Sequence, residues 1–386
     1  MLKRIRLPQL ALALAALFPL AAYAAPDAAA LRQAVDAAVG PVMAQFDVPG
    51  MAVAVTVDGQ PHFFNYGVAA RDSKQPVTEA TIFELGSNSK TFTATLAAYA
   101  QAQGKLALDD HPGKYVPQLQ GSALDGATLL HLGTYTAGGF PLQIPDNLKT
   151  REQLFSYFQH WKPDAAPGKQ RNYSNPSIGL FGHIAGLALG GGFADAAERD
   201  LFPQLGLQHT YIRVPQSAMA HYAWGYSKDQ AVRVQPDLFD SEAYGVKSTA
   251  ADMIRYVQLQ IDPSRLAAPM RRAVQATHTG YFKAGPMTQG LGWESYPYPV
   301  SLEQLLQGNS TDMAWKPQPV QAIQPVQTAA PALYNKTGST RGFGSYVAFV
   351  PSQKIGIVLL ANRAYPNDAR IKLAYAILNQ LAPAAN

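Results

Sequence analysis

The 386-residue chain contains no cysteine. Disulfides, thiolate catalysis and cysteine-ligated metal are therefore excluded, although the compartment is not fixed by that absence. Charged residues make up only 15%, and no block of like charge stands out that would mark a nucleic-acid surface. Beyond the N-terminus no apolar run approaches the ~18 consecutive residues of a membrane span. The eight histidines show neither H-x-H nor H-E-x-x-H spacing, so nothing calls for a metal or another cofactor. A G-x-S-x-G elbow, a phosphate-binding G-x-x-x-x-G-K-[ST] loop and internal repeats are also missing.

The N-terminus reads as an export signal over residues 1–24. Lys3, Arg4 and Arg6 form the positive start, Leu10 to Leu20 the apolar stretch, and Ala22-Tyr23-Ala24 a small-x-small cleavage site. Cleavage after Ala24 removes three of the cations behind the formal charge of +5 and leaves the mature chain near +2. The expectation is a soluble protein with no membrane attachment after cleavage and no nucleic-acid partner, large enough for two domains or one large one.

Ala28 to Phe46 carries helical spacing, with Leu31, Val35, Val39 and Val42 on one stripe. Met51–Val57 and His62–Val68 read as strands about the turn pair Asp58-Gly59. The far end mirrors this: Tyr346–Val350 and Ile355–Ala361 flank a turn, and a helix follows from about Ala369 to Leu381. Both ends suit one antiparallel sheet. Between them helical segments near Thr91–Gly104, Thr150–His160 and Ile178–Leu189 alternate with Gly/Pro-rich loops. Leu201 to about Val246 is rich in turn residues, and Asn309–Pro331, rich in Gln and Pro, reads as an irregular surface excursion. The expected fold class is α/β (α+β): an antiparallel sheet flanked by helices, built from 25–104 and 247–386, with a mostly helical domain inserted over 105–246.

Three short patterns carry chemistry. In Ser87-Asn88-Ser89-Lys90 the three-residue spacing puts hydroxyl and amine on one face of a starting helix, so the lysine can take or steer the serine proton. Burial and a neighbouring cation would push that lysine toward its neutral, basic form. Free N–H groups at the helix start favour developing negative charge. The bland alternative is an N-cap serine with a surface lysine. Lys336-Thr337-Gly338 sits in a strand expected over Leu333–Ser339, where the glycine lets a ligand approach and the cation and hydroxyl suit a substrate carboxylate; a polar hairpin end is the plainer account. Tyr173-Ser174-Asn175 precedes an apolar helix, but Tyr365-Pro366-Asn367 fits the same Y-x-N pattern. Periodicity does not choose between them, and either reads equally as a packed tyrosine before a capping asparagine.

In that order and spacing, Ser87-x-x-Lys90, Tyr173-x-Asn175 and Lys336-Thr337-Gly338 resemble the penicillin-recognising serine enzymes, and the tyrosine of the middle motif resembles class C serine β-lactamases. Thr136-Ala137-Gly138-Gly139 with Leu142-Gln143, Tyr222 to Tyr226, Glu242 to Lys247, Gly290 to Glu294 and Asn362 to Arg370 extend the likeness over essentially the whole mature chain. The resemblance implies Ser87 as nucleophile, Lys90 as its proton partner and Tyr173 as proton relay, with the base either Lys90 or Tyr173. It further implies an oxyanion hole from the amides of Ser87 and Ser339. Gln143 and Asn175 would bind the acylamide, Tyr244 would line the wall, Lys336 and Thr337 would face the carboxylate, Gly338 would join them in binding substrate, and Asn367 would lie nearby. It places Tyr365 in a substrate-side segment and the site in the cleft between sheet and helical domain. Arg341 and Ala364 depart from the Gly and Asn common in the family.

The implied function is hydrolysis of the β-lactam amide of cephalosporins and penicillins by a periplasmic, monomeric enzyme that confers antibiotic resistance. The competing functions are a D-alanyl-D-alanine peptidase or esterase of the same fold and, from another class, a non-catalytic penicillin-binding sensor.

Overall fold

The structure is a computed structural model and describes residues 28–326 and 330–381. The expected signal at 1–24 lies outside the described residues. Ten strands form one sheet: β1 Gly50–Val57, β2 Gln60–Ala70, β3 Gln75–Pro76, β4 Gly280–Ala284, β5 Met287–Gly290, β6 Glu294–Pro297, β7 Gln321–Val326, β8 Ala332–Ser339, β9 Gly344–Val350 and β10 Ile355–Ala361. Their order is β7-β4-β5-β6-β8-β9-β10-β1-β2-β3, and every pairing is antiparallel. The helices that matter most are α1 Ala28–Gln45, α2 Ser89–Ala102, α3 Asn175–Ala188, α4 Asp240–Ala243, α5 Ala250–Ile261, α6 Ala268–Ala276 and α7 Asn367–Leu381.

The β1–β2 hairpin turns on Asp58 and Gly59, both at positive φ (48° and 79°), the combination a two-residue turn of this hand requires. The central strands β1 and β10 are buried along their whole length, so they read as near-continuous apolar runs. Alternation along β1 sends Met51, Val53 and Val55 into one core with Leu31, Val35 and Val39 of α1 and Ile371, Ala374 and Ile377 of α7. Ala52 and Ala54 face a second core, formed with α2, α3, α5 and α6. Small residues on that face permit close approach: a Cβ on Gly356 of β10 would come within 2.4 Å of Val257 in α5.

Residues 105–246 contribute no strand to the large sheet. Their helices pack against α2, and a two-stranded pair, Ile82–Glu84 with Lys247–Thr249, links the segments before and after them. One expectation fails. Within the supposedly irregular 309–331, Thr311–Trp315 is helical and β7 joins the sheet by pairing with β4. β7 is the terminal strand, where Pro325 interrupts no ladder on its free side.

Candidate active site

Ser87 stands in a single 3-10 turn, Gly86–Asn88, immediately ahead of α2. The turn is pinned from several sides. Leu85 N donates to Val246 O (2.9 Å), Val246 N donates to Ser89 Oγ (3.0 Å), and Asn88 Nδ2 donates to Ser345 Oγ of β9 (2.7 Å). Ser345 Oγ in turn donates to Leu85 O (2.7 Å). Two glycines bring turn and sheet together: a Cβ on Gly86 (φ 53°) would stand 2.4 Å from Ser339 N, and one on Gly338 would stand 2.1 Å from Leu85 O. Backbone meets backbone at both places, so neither side could yield to a larger residue.

Lys90 is fully buried one helical turn on; its Nζ donates to Ser87 Oγ (3.0 Å) and to Ala243 O of α4 (2.7 Å). Tyr173 precedes α3, whose N-cap is Ser174, accepting from Ser177 N at 3.1 Å. Asn175 is therefore not the cap. It begins the helix, and its Nδ2 donates to Gln143 Oε1 (2.7 Å). The Tyr173 hydroxyl is buried beside Ser87, Lys90 and Lys336, and the Nζ atoms of Lys90 and Lys336 lie 5.2 and 4.9 Å from the ring centroid.

The charges decide the proton chemistry. Burial drives the Lys90 ammonium down to about 8, with Lys336 adding to the fall and Tyr173 opposing it. For Tyr173 burial alone would raise the pKa, but the charges of Lys336 and Lys90 outweigh it and bring the phenol down to about 8. Burial acts downward on Lys336 too, yet Glu294 and Tyr173 hold it above the ordinary lysine value. Lys90 and Tyr173 are thus both drawn toward neutrality, the first by burial and the second by the two lysines, while Lys336 is held toward its cationic form.

β8 carries Lys336 to Ser339. Its pairing with β6 ends at Asn335, opposite Glu294, so beyond that point only β9 flanks it and its other edge is open. Arg370 of α7 fixes this end by donating to Gly338 O (2.6 Å) and Ser339 Oγ (2.9 Å). A cleft of about 390 Å³ lies along the open edge, lined by Ser87, Gln143, Tyr173, Asn175, Tyr244, Thr337, Gly338, Ser339 and Asn367 together with Leu142, Val234, Ala314, Thr340 and Arg341. All the residues singled out from the sequence meet here, except that Lys90 and Lys336 lie just beneath the lining. Tyr365 does not join them. Its ring is buried in the α1/α7 core against Phe46 (centroids 5.9 Å apart), while Asn367 of the same segment lines the cleft.

A buried ionic group beneath the cleft escaped the sequence reading. Arg171 donates to Gln289 Oε1 (2.7 Å), Met313 O (2.7 Å) and Glu294 Oε1 (3.3 Å), and Glu294 Oε1 also lies 3.8 Å from Lys336 Nζ. The Arg171 guanidinium packs 5.3 Å from the Tyr173 ring centroid. Among the described residues no cluster of His, Cys, Asp and Glu could hold a metal ion.

A family model described as Beta-lactamase matches residues 35–382. The chain is 54% identical over 354 residues to a beta-lactamase of Pseudomonas fluorescens, covering 91% of this chain and 99% of that protein. It is 46% identical to a beta-lactamase of Escherichia coli (strain K12), covering 93% and 95%. Among solved structures, a class C beta-lactamase in complex with cefoxitin superposes with a TM-score of 0.88 at 49% identity, covering 91% of this chain and 99% of that one. A beta-lactamase/D-alanine carboxypeptidase from Pseudomonas syringae superposes with a TM-score of 0.90 at 47% identity, covering 92% and 100%.

Proposed function

The chain belongs to the β-lactamase family and hydrolyses β-lactams as a class C enzyme, and from that premise we propose that Ser87 is its nucleophile, with Lys90 and Tyr173 moving the protons. The observation that carries this reading is the 3.0 Å contact between Lys90 Nζ and Ser87 Oγ, inside a site that brings both Lys90 and Tyr173 to about 8.

Ser87 Oγ attacks the lactam carbonyl carbon, and its proton passes to the Lys90–Tyr173 pair. The charge that develops on the carbonyl oxygen is met by the amides of Ser87 and Ser339. Support for the second comes from Gly338 O, which faces Arg370, because alternation along β8 turns the next residue's amide to the open edge. The carbon–nitrogen bond then breaks, and the nitrogen takes the proton back through Tyr173, leaving an ester on Ser87. Water attacks that ester, gives one proton to the same pair, and the proton returns to Ser87 as the acid leaves.

Lys336, held cationic by Glu294, and Thr337 receive the substrate carboxylate, with Gly338 leaving room and Asn367 alongside. The Gln143–Asn175 pair takes the acylamide, and Tyr244 forms the wall. The mature enzyme is a monomer of the Gram-negative periplasm that begins at Ala25; the charged start, apolar stretch and Ala22-Tyr23-Ala24 support export. Among the described residues no single helix is long and apolar enough to cross a membrane.

The test is intact-protein mass spectrometry with a slow-turnover β-lactam. The native protein gains the mass of the lactam and Ser87→Ala does not; an adduct on both would remove Ser87 from its role. A second reading, a D-alanine carboxypeptidase activity of the same site, is favoured by the name of the Pseudomonas syringae structure. Release of D-alanine from a peptide ending in D-alanyl-D-alanine decides it.

A further inference from the structure

Arg341 is the single charged side chain in the lining of the cleft. It follows β8, whose open edge runs from Lys336 to Ser339, so at about 3.3 Å per residue Ser339 lies roughly 10 Å beyond Lys336, with Arg341 two residues further. A substrate with its carboxylate at Lys336–Thr337, its reacting carbonyl between Ser87 and Ser339 and its acylamide on Gln143–Asn175 extends the far end of its acylamino substituent toward Arg341. This orientation rests on the roles proposed above.

The Arg341 guanidinium is exposed and lightly held, its one hydrogen bond being Nη2 to Gln230 Oε1 at 3.3 Å. Among the described residues it has no acidic partner. Glu84, beneath Thr340, already accepts from Tyr222 Oη (2.6 Å), Val234 N (2.7 Å) and Thr340 Oγ1 (2.5 Å). Asp229, next to Gln230, lies 3.8 Å from Arg71. The neighbouring cation Arg233 is committed, packed between Tyr222 and Trp224 (4.0 and 4.1 Å to the ring centroids) and donating to the carbonyls of Tyr222 and Ala223. Of these two cations among the described residues, Arg341 is the one able to turn toward a ligand anion, in a cleft whose described lining offers no carboxylate to compete for it.

We propose that Arg341 makes this enzyme favour β-lactams whose acylamino side chain ends in a carboxylate or a comparable anion. A planar guanidinium pairs with such a group through two parallel hydrogen bonds, which a glycine at this position could not supply.

The probes are glutaryl-7-aminocephalosporanic acid, with a terminal carboxylate, and its terminal carboxamide, which has nearly the same shape but no charge and only one acceptor oxygen. The quantity read is the ratio of their kcat/KM values. Arg341→Gln is expected to lower the carboxylate-to-carboxamide ratio about three- to tenfold, and Arg341→Lys to keep part of it. In the native enzyme, raising salt from about 0.05 to about 0.5 M should lower the ratio as well. A ratio that neither Arg341→Gln nor salt moves, with both substrates turned over, overturns the role of Arg341 and leaves the Ser87 reading intact. Failure of the native enzyme to turn over either cephalosporin overturns both.

Discussion

Tyr173 and Tyr365 open two Y-x-N patterns, and each stands just before a helix, yet only one ring meets the lysines. Tyr173 lies within about 5 Å of two ammonium groups, and its phenol is brought down to about 8. The Tyr365 ring is turned into the α1/α7 core, where burial pushes its hydroxyl up to about 12. Tyr173→Phe is expected to lower turnover about 100- to 10,000-fold, the range of a lost acid–base group. Tyr365→Phe deletes a buried hydroxyl that has no hydrogen-bond partner among the described residues, and less than about a tenfold change is expected, equivalent to about 1.4 kcal/mol. Steady-state turnover and melting temperature of both variants separate chemistry from folding; a crippled Tyr365→Phe beside a near-normal Tyr173→Phe would reverse the assignment. The Ser87–Lys90 spacing was legible because a helix repeats locally, and the two tyrosines were indistinguishable because a local pattern does not say which core a ring enters. Arg171, Gln289 and Glu294 left no local trace, since over a hundred residues separate the first from the others and only sheet register brings them together.

The short helix α4 ties the proton chemistry to the cleft wall. Ala243 O accepts from Lys90, Glu242 O accepts from Thr93 Oγ1 (2.5 Å), and Tyr244 follows directly in the lining. Glu242 is buried, and burial raises its carboxyl to about 8, with Asp240 adding to the rise and Arg151 opposing it. A carboxyl whose folded pKa lies above its unfolded value of about 4.5 contributes stability that is full below pH 4.5 and is lost as pH rises through about 8. Glu242→Gln removes that loss. The melting temperature of the variant, relative to native, should therefore climb between pH 5 and pH 8.5, as followed by calorimetry; a difference independent of pH would mean that Glu242 ionises freely in the fold. Other elements were unequally legible. Long buried strands such as β1 and β10 and the stripe of α1 stand out in the sequence, whereas β4, β5 and β6 hold only four or five residues each. The Gln/Pro-rich composition of β7 disguised a strand because a sheet's outer edge tolerates proline.

Across the whole molecule, the first and last described helices lie on one face of the sheet while the cleft opens beside β8, toward α2 and α3. The first and last long strands close together, since β1 pairs with β10 from Met51↔Ala361 to Val57↔Ile355, and α1 packs with α7 over them. The mostly helical middle is thus enclosed between two halves of one sheet, and long-range pairing of this kind forms late relative to local helices. The α1 face reaches the cleft only indirectly, through the sheet and through α7, which packs on α1 and sends Arg370 and Asn367 to the site, so stability and catalysis should be largely separable there. Val35 is fully buried in α1 and takes no part in the site. Val35→Ala should destabilise the protein by about 1 to 3 kcal/mol, from lost apolar burial and the small cavity left behind. Its kcat/KM for a cephalosporin with an uncharged acyl side chain should stay within about twofold of native, since the helix touches neither the Ser87 turn nor the open edge of β8. Denaturant unfolding and steady-state kinetics on the same preparation provide the check. A fall in kcat/KM as large as that of a site variant, with the protein still folded, would mean that the α1 face is coupled to the strand that holds Lys336, through β1 and β10 or through Arg370 and Asn367 of α7.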